Sequence, residues 1–80
     1  MGKFMWLLLA WEKRLIELCK EWLQEKHEKN LLERIVSLNR YLGYGPFTME
    51  ETYTMNTNTY DNDIITNKIK KYLILQEKVV

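Results

Sequence analysis

Cys19 and His27 are the first residues to consider for chemistry, because they are the single cysteine and the single histidine of the 80-residue chain. Eight helical residues would separate them by about 12 Å of rise, so they cannot form a local Cys/His dyad. Cys19 falls among apolar residues of a predicted helix, where a free cysteine behaves as a small hydrophobe. We therefore predict that Cys19 is buried and inert and that His27 faces solvent near a helix end.

The acidic residues do not form a better candidate site. Asp61, Asn62 and Asp63 resemble part of a calcium loop, but the glycine and glutamate that such a loop needs downstream do not follow. The sequence also lacks a glycine-rich phosphate loop, a hydrolase elbow and a Cys/His zinc spacing. We therefore expect a protein that is not an enzyme, with no catalytic residue, cofactor, bound metal or small-molecule substrate.

The last third of the chain offers a candidate nucleic-acid surface. On a helix, Asn67, Lys68, Lys71 and Lys78 would share the face away from the apolar positions. The formal net charge of the whole chain is only +1, and nucleic-acid-binding domains normally carry a stronger local excess of Lys and Arg. Nucleic-acid binding is therefore the alternative hypothesis for this helix, and a solvated face is the simpler interpretation.

Hydrophobic periodicity predicts the elements that position these residues. Residues 4–24 have an apolar side at helical spacing, and residues 31–42 have a second one. In one continuous helix these two sides would point about 180° apart, so one core could not bury both. The sequence therefore predicts a helical hairpin that reverses near residues 26–30. Its core contacts should join Leu15 or Leu18 to Ile35 or Leu38.

Capping residues predict where the second helix begins and ends. Asn30 followed by Glu33 has the spacing of a capping box, which would begin the helix at Leu31. Gly43 suits the left-handed position that follows a helix, and Pro46 comes shortly after it. We therefore expect the second helix to span residues 31–42.

The connector and the last helix are predicted from similar signals. Thr48 followed by Glu51 predicts a second capping box and a short helix to about Thr54. The richness of residues 52–63 in Thr and Asn favours turns, although alternating apolar residues leave a short strand open. Helical spacing resumes from about residue 64, with Asp61 or Asp63 as the N-cap. A strand over residues 72–75 is the alternative there.

The beginning of the first helix is apolar on nearly every side. Such a helix must be covered by its own chain, another protein or lipid, and the predicted protein interface consists of Phe4, Trp6, Leu9, Trp11 and Lys13. The even mixture of Glu and Lys on the polar side argues against membrane-surface binding, which remains a second alternative. Interface aromatics often contribute about 2 kcal/mol or more, so Trp6→Ala should weaken assembly about thirtyfold.

These observations together predict a mostly all-α fold in one small helical domain spanning residues 1–80. It consists of a helical hairpin plus a C-terminal helix, joined by a polar Thr/Asn-rich connector. The predicted function is a non-enzymatic protein–protein interaction module that acts as a homo-oligomer or bound to a partner protein. The lone cysteine and the absence of signal-peptide or membrane-span patterns predict a reducing, cytoplasmic location. Abundant Lys, Asn, Ile and Tyr fit an AT-rich genome, from which we hypothesise a phage or viral accessory or inhibitor protein.

Overall fold

The computed structural model describes the backbone of residues 3–54 and 61–78, and the side chains of residues 9–52 and 61–77. It contains four helices: α1 (Lys3–Leu23), α2 (Lys29–Leu42), α3 (Met49–Thr54) and α4 (Asn62–Lys78). No strand occurs in these ranges, so the mostly all-α prediction is confirmed. The strand alternative over residues 72–75 is wrong, because these residues continue α4. The stretch 55–60 of the connector lies outside the described residues.

Helices α1 and α2 form the predicted antiparallel hairpin. Trp11 near the start of α1 contacts Tyr41 near the end of α2, with ring centroids 4.0 Å apart. Such a contact requires the chain to reverse between the two helices, and the residues that connect them include Glu25 in a left-handed conformation with φ 67°. The predicted reversal near residues 26–30 is therefore confirmed.

The start of α2 differs from the prediction. The helix begins at Lys29 rather than Leu31, and its N-cap is Glu28, whose side chain makes no capping hydrogen bond. The predicted capping box of Asn30 and Glu33 is wrong, because the backbone N–H of Leu32 already donates to the carbonyl of Glu28 at 3.1 Å. Asn30 therefore lies inside the first turn, where its amide is exposed.

The other predicted helix ends are confirmed. Gly43 is left-handed with φ 73°, and its N–H donates to the carbonyl of Asn39 at 2.9 Å. Thr48 and Glu51 form a reciprocal capping box, in which each backbone N–H donates to the other side chain at 3.1 and 3.2 Å. Asp61 caps α4 by accepting the backbone N–H of Asp63 at 2.9 Å.

One hydrophobic core joins α1, α2 and α4. The largest buried side chain is that of Trp22, whose indole N–H donates to Oγ1 of Thr66 on α4 at 3.0 Å. This bond ties the C-terminal helix to the hairpin. The core contains the predicted hairpin residues, with Leu38 packed at its border, and consists of Leu15, Leu18, Cys19, Trp22, Leu31, Leu32, Ile35, Val36, Phe47, Ile65, Ile69 and Tyr72.

Helix α3 packs against α2 and is joined to α4 by an ion pair. Glu51, a member of the capping box, also forms an ion pair with Lys68 of α4. Thr52 is buried, and its hydroxyl donates to the carbonyl of Met49 at 2.6 Å. The ion pair thus links the start of the connector to α4.

Candidate protein interface

The side chain of Cys19 has no surroundings that would activate it. It is fully buried in the core, and burial raises the pKa of its thiol to about 12. A thiol with such a pKa stays protonated at neutral pH and is a poor nucleophile. His27 is exposed, as predicted, and its ring lies edge-on to that of Trp22 with centroids 4.7 Å apart. The burial predicted for Cys19 is confirmed.

A small polar cluster lies where the hairpin meets α4. Burial raises the pKa of Tyr44, with smaller contributions from the charge of Glu12 and from the hydrogen bond between the two side chains. Burial also raises the pKa of Tyr72, whose hydroxyl has no hydrogen-bond partner among the described residues. Both phenols and the thiol of Cys19 are therefore protonated at neutral pH, so the cluster offers proton donors and no nucleophile.

The described residues contain no group of three or more His, Cys, Asp or Glu side chains that could hold a metal ion. Asp61, which began the calcium-like pattern, instead accepts a backbone hydrogen bond at the start of α4. No helix within the described ranges is long and apolar enough to cross a membrane.

The candidate nucleic-acid residues do not form one continuous basic stripe. Asn67 and Lys71 are exposed, whereas Lys68 is partly buried and paired with Glu51 of α3. The side chain of Lys78 lies outside the described residues. An ion pair within the chain neutralises part of the positive charge that phosphate groups would need to meet. The surface that remains is less basic than the sequence pattern indicated.

The predicted interface residues lie on two different sides of α1. Leu9 is 55% exposed and Lys13 is exposed, whereas Trp11 is partly buried against Tyr41. At about 100° per residue, Leu9 and Trp11 point roughly 160° apart around the helix. They therefore cannot belong to one flat surface. Phe4 and Trp6 belong to α1, and their side chains lie outside the described part of the chain.

Leu9 belongs to an apolar row along α1, whose later members, Ile16 and Leu23, lie beside α4. Leu9, Ile16 and Leu23 follow each other at seven-residue intervals, which keeps them within about 40° of one line on the helix. Ile16 and Leu23 are only partly buried and pack at the border of the core.

Helix α4 supplies the second wall of this surface. An open groove of about 490 Å³ lies between α1 and α4. We call this surface the α1/α4 face; it consists of Leu9 and the residues that line the groove, which are Ile16, Lys20, Leu23, Lys70, Leu73, Ile74, Gln76 and Glu77. Ile74 is 52% exposed. The face therefore has an apolar floor and charged residues at its borders, a composition that is typical of a helix-binding groove.

A second groove, between α1 and α2, has a different character. It has a volume of about 410 Å³, and Leu18 and Leu38 are its apolar residues. Its polar lining consists of Arg14, Glu33, Arg34 and Ser37, and Arg14 is already paired with Glu17 at 3.4 Å. Its charged walls make it a weaker candidate for protein binding than the α1/α4 face.

No known protein family, characterised protein or solved structure matches this chain significantly.

Proposed function

We propose that this chain is a small non-enzymatic protein–protein interaction module that binds through the α1/α4 face. The observation that carries the proposal is the groove in which Ile16 and Leu23 of α1 lie beside the exposed Ile74 of α4, because exposed apolar surface rimmed by charged residues in a small protein marks interaction sites. It binds as an oligomer or with a partner protein. A phage or viral accessory or inhibitor protein would act in this way, by binding rather than catalysis.

Size gives an independent reason for association. In a chain of about 80 residues or fewer, the hydrophobic core rarely contributes more than roughly 3–5 kcal/mol to the free energy of unfolding. Such small proteins usually gain further stability from disulfides, metals or association. The single cysteine allows no intramolecular disulfide. Burying a half-exposed Leu or Ile contributes about 1 kcal/mol, so covering this face stabilises both the complex and the fold.

The nucleic-acid alternative has less support. Of its four candidate residues only Asn67 and Lys71 are exposed among the described side chains, because Lys68 is paired with Glu51. The alternative requires an affinity for DNA or RNA that falls steeply as salt increases. Membrane-surface binding, the other alternative, requires a shift in Trp fluorescence with vesicles.

Two neighbouring substitutions test the proposed face. Ile74 and Leu75 are similarly exposed, at 52% and 60%, but only Ile74 lines the groove. Ile74→Glu introduces a charge into the face and should weaken association at least about tenfold, since removing that charge from water on binding costs several kcal/mol. Leu75→Glu is the matched control and should leave association unchanged.

Sedimentation velocity should be measured from micromolar to millimolar concentration, alone and with any captured partner, and circular dichroism should verify that both variants fold. Equal loss of association in the two variants, or no loss in either, would contradict the proposed face. Light scattering on Trp6→Ala then tests the part of the predicted interface that belongs to the start of α1.

A further inference from the structure

We propose that the α1/α4 face binds a second copy of this chain, with the two α4 helices antiparallel and Lys70 of each copy paired with Glu77 of the other. This inference rests on the proposed function and names the occupant of the same face. It makes the assembly a symmetric dimer in which each copy supplies an identical surface.

The order of residues along α4 carries the inference. Lys70, Leu73, Ile74 and Glu77 all line the groove, and their spacing of three, one and three residues places them on one side of the helix. A basic residue lies at one end of this set, an acidic residue at the other end, and two apolar residues lie between. The set is therefore complementary to itself when one copy is reversed.

The positions of Lys70 and Glu77 along the axis of α4 fit the antiparallel arrangement. Lys70 and Glu77 are separated by seven residues, or about 10.5 Å of helical rise, and their midpoint lies between Leu73 and Ile74. A twofold axis at this midpoint, perpendicular to α4, places Lys70 of one copy level with Glu77 of the other. The same operation places the two apolar pairs against each other at the centre.

Neither charge has a counterpart within its own helix. No oppositely charged residue stands three or four positions from Lys70 or Glu77, which is the spacing at which helical ion pairs form. The structure also gives neither residue an ion pair with another described residue. Lys20, the third charged residue of the groove, differs because Glu17 stands one turn away on its own helix.

A parallel arrangement of two copies does not fit the same residues. With α4 helices side by side and parallel, Lys70 would meet Lys70 and Glu77 would meet Glu77, and like charges in contact are unfavourable. In the antiparallel arrangement the rows of α1 flank the central helix pair. The product is a bundle of four helices, two from each copy, with antiparallel packing at its centre.

Charge reversal tests the pairing directly. Lys70→Glu alone and Glu77→Lys alone should each weaken the dimer about tenfold at low salt, because each change makes two like-charge contacts per dimer. An equimolar mixture of the two variants should associate with nearly wild-type affinity, since every contact across the mixed dimer again joins opposite charges. The double variant Lys70→Glu/Glu77→Lys should also recover as a homodimer.

Lys71→Glu is the matched control, because Lys71 is exposed beside Lys70 but does not line the groove. It should leave dimerisation unchanged. Sedimentation equilibrium and native mass spectrometry measure the homodimers and the mixed dimer, and circular dichroism verifies folding. If a reversal variant does not fold, Lys70→Gln/Glu77→Gln replaces it; this variant should dimerise with less dependence on salt than the wild type.

Specific results would overturn the inference. Failure of the mixture to recover, an equal loss in Lys71→Glu, or an unchanged salt dependence in the double glutamine variant contradicts the pairing. A chain that stays monomeric at millimolar concentration excludes the second copy as occupant. If a different protein then binds wild type and not Ile74→Glu, the proposed function stands and only this inference fails.

Discussion

Asn39 should be one of the most important single residues for stability, because its side-chain amide is the hydrogen-bond partner of both backbone groups of Phe47. Its Nδ2 donates to the carbonyl of Phe47 at 2.9 Å, and its Oδ1 accepts the backbone N–H of Phe47 at 3.3 Å. Asn39 and Phe47 are buried, at 4% and 5% exposure. Gly45 leaves room for this amide, since a Cβ at that position would collide with Oδ1 of Asn39. The amide therefore holds the loop after α2 against the core.

The effect of Asn39→Ala follows from the two backbone groups that it leaves unpaired. Each buried donor or acceptor without a partner costs about 1–3 kcal/mol. Alanine has a higher helix propensity than asparagine, which offsets about 0.5 kcal/mol of this loss. Water that enters the opened loop can bond the unpaired groups, which lowers the upper limit of the loss. We expect a net loss of about 2–4 kcal/mol, most of the roughly 3–5 kcal/mol that a core of this size supplies.

Asn30→Ala is the matched control, since Asn30 is an exposed asparagine of the same helix. Urea unfolding, followed by Trp fluorescence, should give an unfolding free energy about 2–4 kcal/mol lower for Asn39→Ala than for Asn30→Ala. The corresponding difference in Tm is roughly 10–25 °C for a domain of this size. Two variants that agree within about 0.5 kcal/mol would refute the reasoning, because that is the ordinary range for surface substitutions.

Four further predictions concern the core and the helix ends. Thr66→Val should destabilise the fold by about 1–3 kcal/mol, because it leaves the buried Trp22 N–H without an acceptor; Thr66→Ser keeps the hydroxyl and should cost less in the same denaturation assay. Thr48→Ala removes one bond of the capping box and should cost about 0.5–2 kcal/mol, measured by thermal unfolding. Glu25→Gly should raise Tm, because it relieves a left-handed conformation at φ 67° that costs a non-glycine residue about 1–2 kcal/mol; an unchanged or lower Tm would contradict this. Burial raises the pKa of the Cys19 thiol to about 12, which predicts a loss of stability at alkaline pH. The thiol ionises first in the unfolded chain, so the stability present below pH ~9 is lost as the pH rises from ~9 to ~12. The slope is at most about 1.4 kcal/mol per pH unit. Urea titrations should show a steeper loss between pH ~9 and ~10 in the wild type than in Cys19→Ala, because Tyr44 and Tyr72, whose pKa values burial also raises, contribute to both proteins above pH ~10. Thiol reagents should label the folded wild type slowly.

The sequence by itself determined the helices and most of their ends. The opposite phase of the two apolar sides required a reversal between α1 and α2, because one helix cannot bury both sides against one core. The reciprocal spacing of Thr48 and Glu51 and the glycine at position 43 are local signals, and local hydrogen bonds satisfied them as predicted. The Asn30 cap failed because a second local option, continuation of the helix back to Lys29, bonds more backbone groups.

Only the tertiary structure decided how surfaces from distant parts of the chain combine. The sequence grouped Leu9 with Trp11, yet Trp11 packs against Tyr41 of α2 and Leu9 stays exposed on the other side of α1. It placed Lys68 in a basic stripe, yet the position of α3 pairs Lys68 with Glu51. The groove between α1 and α4 depends on where the C-terminal helix docks. Helical periodicity gives the angle of each side chain around its own axis, but only packing between helices decides which of those angles are covered.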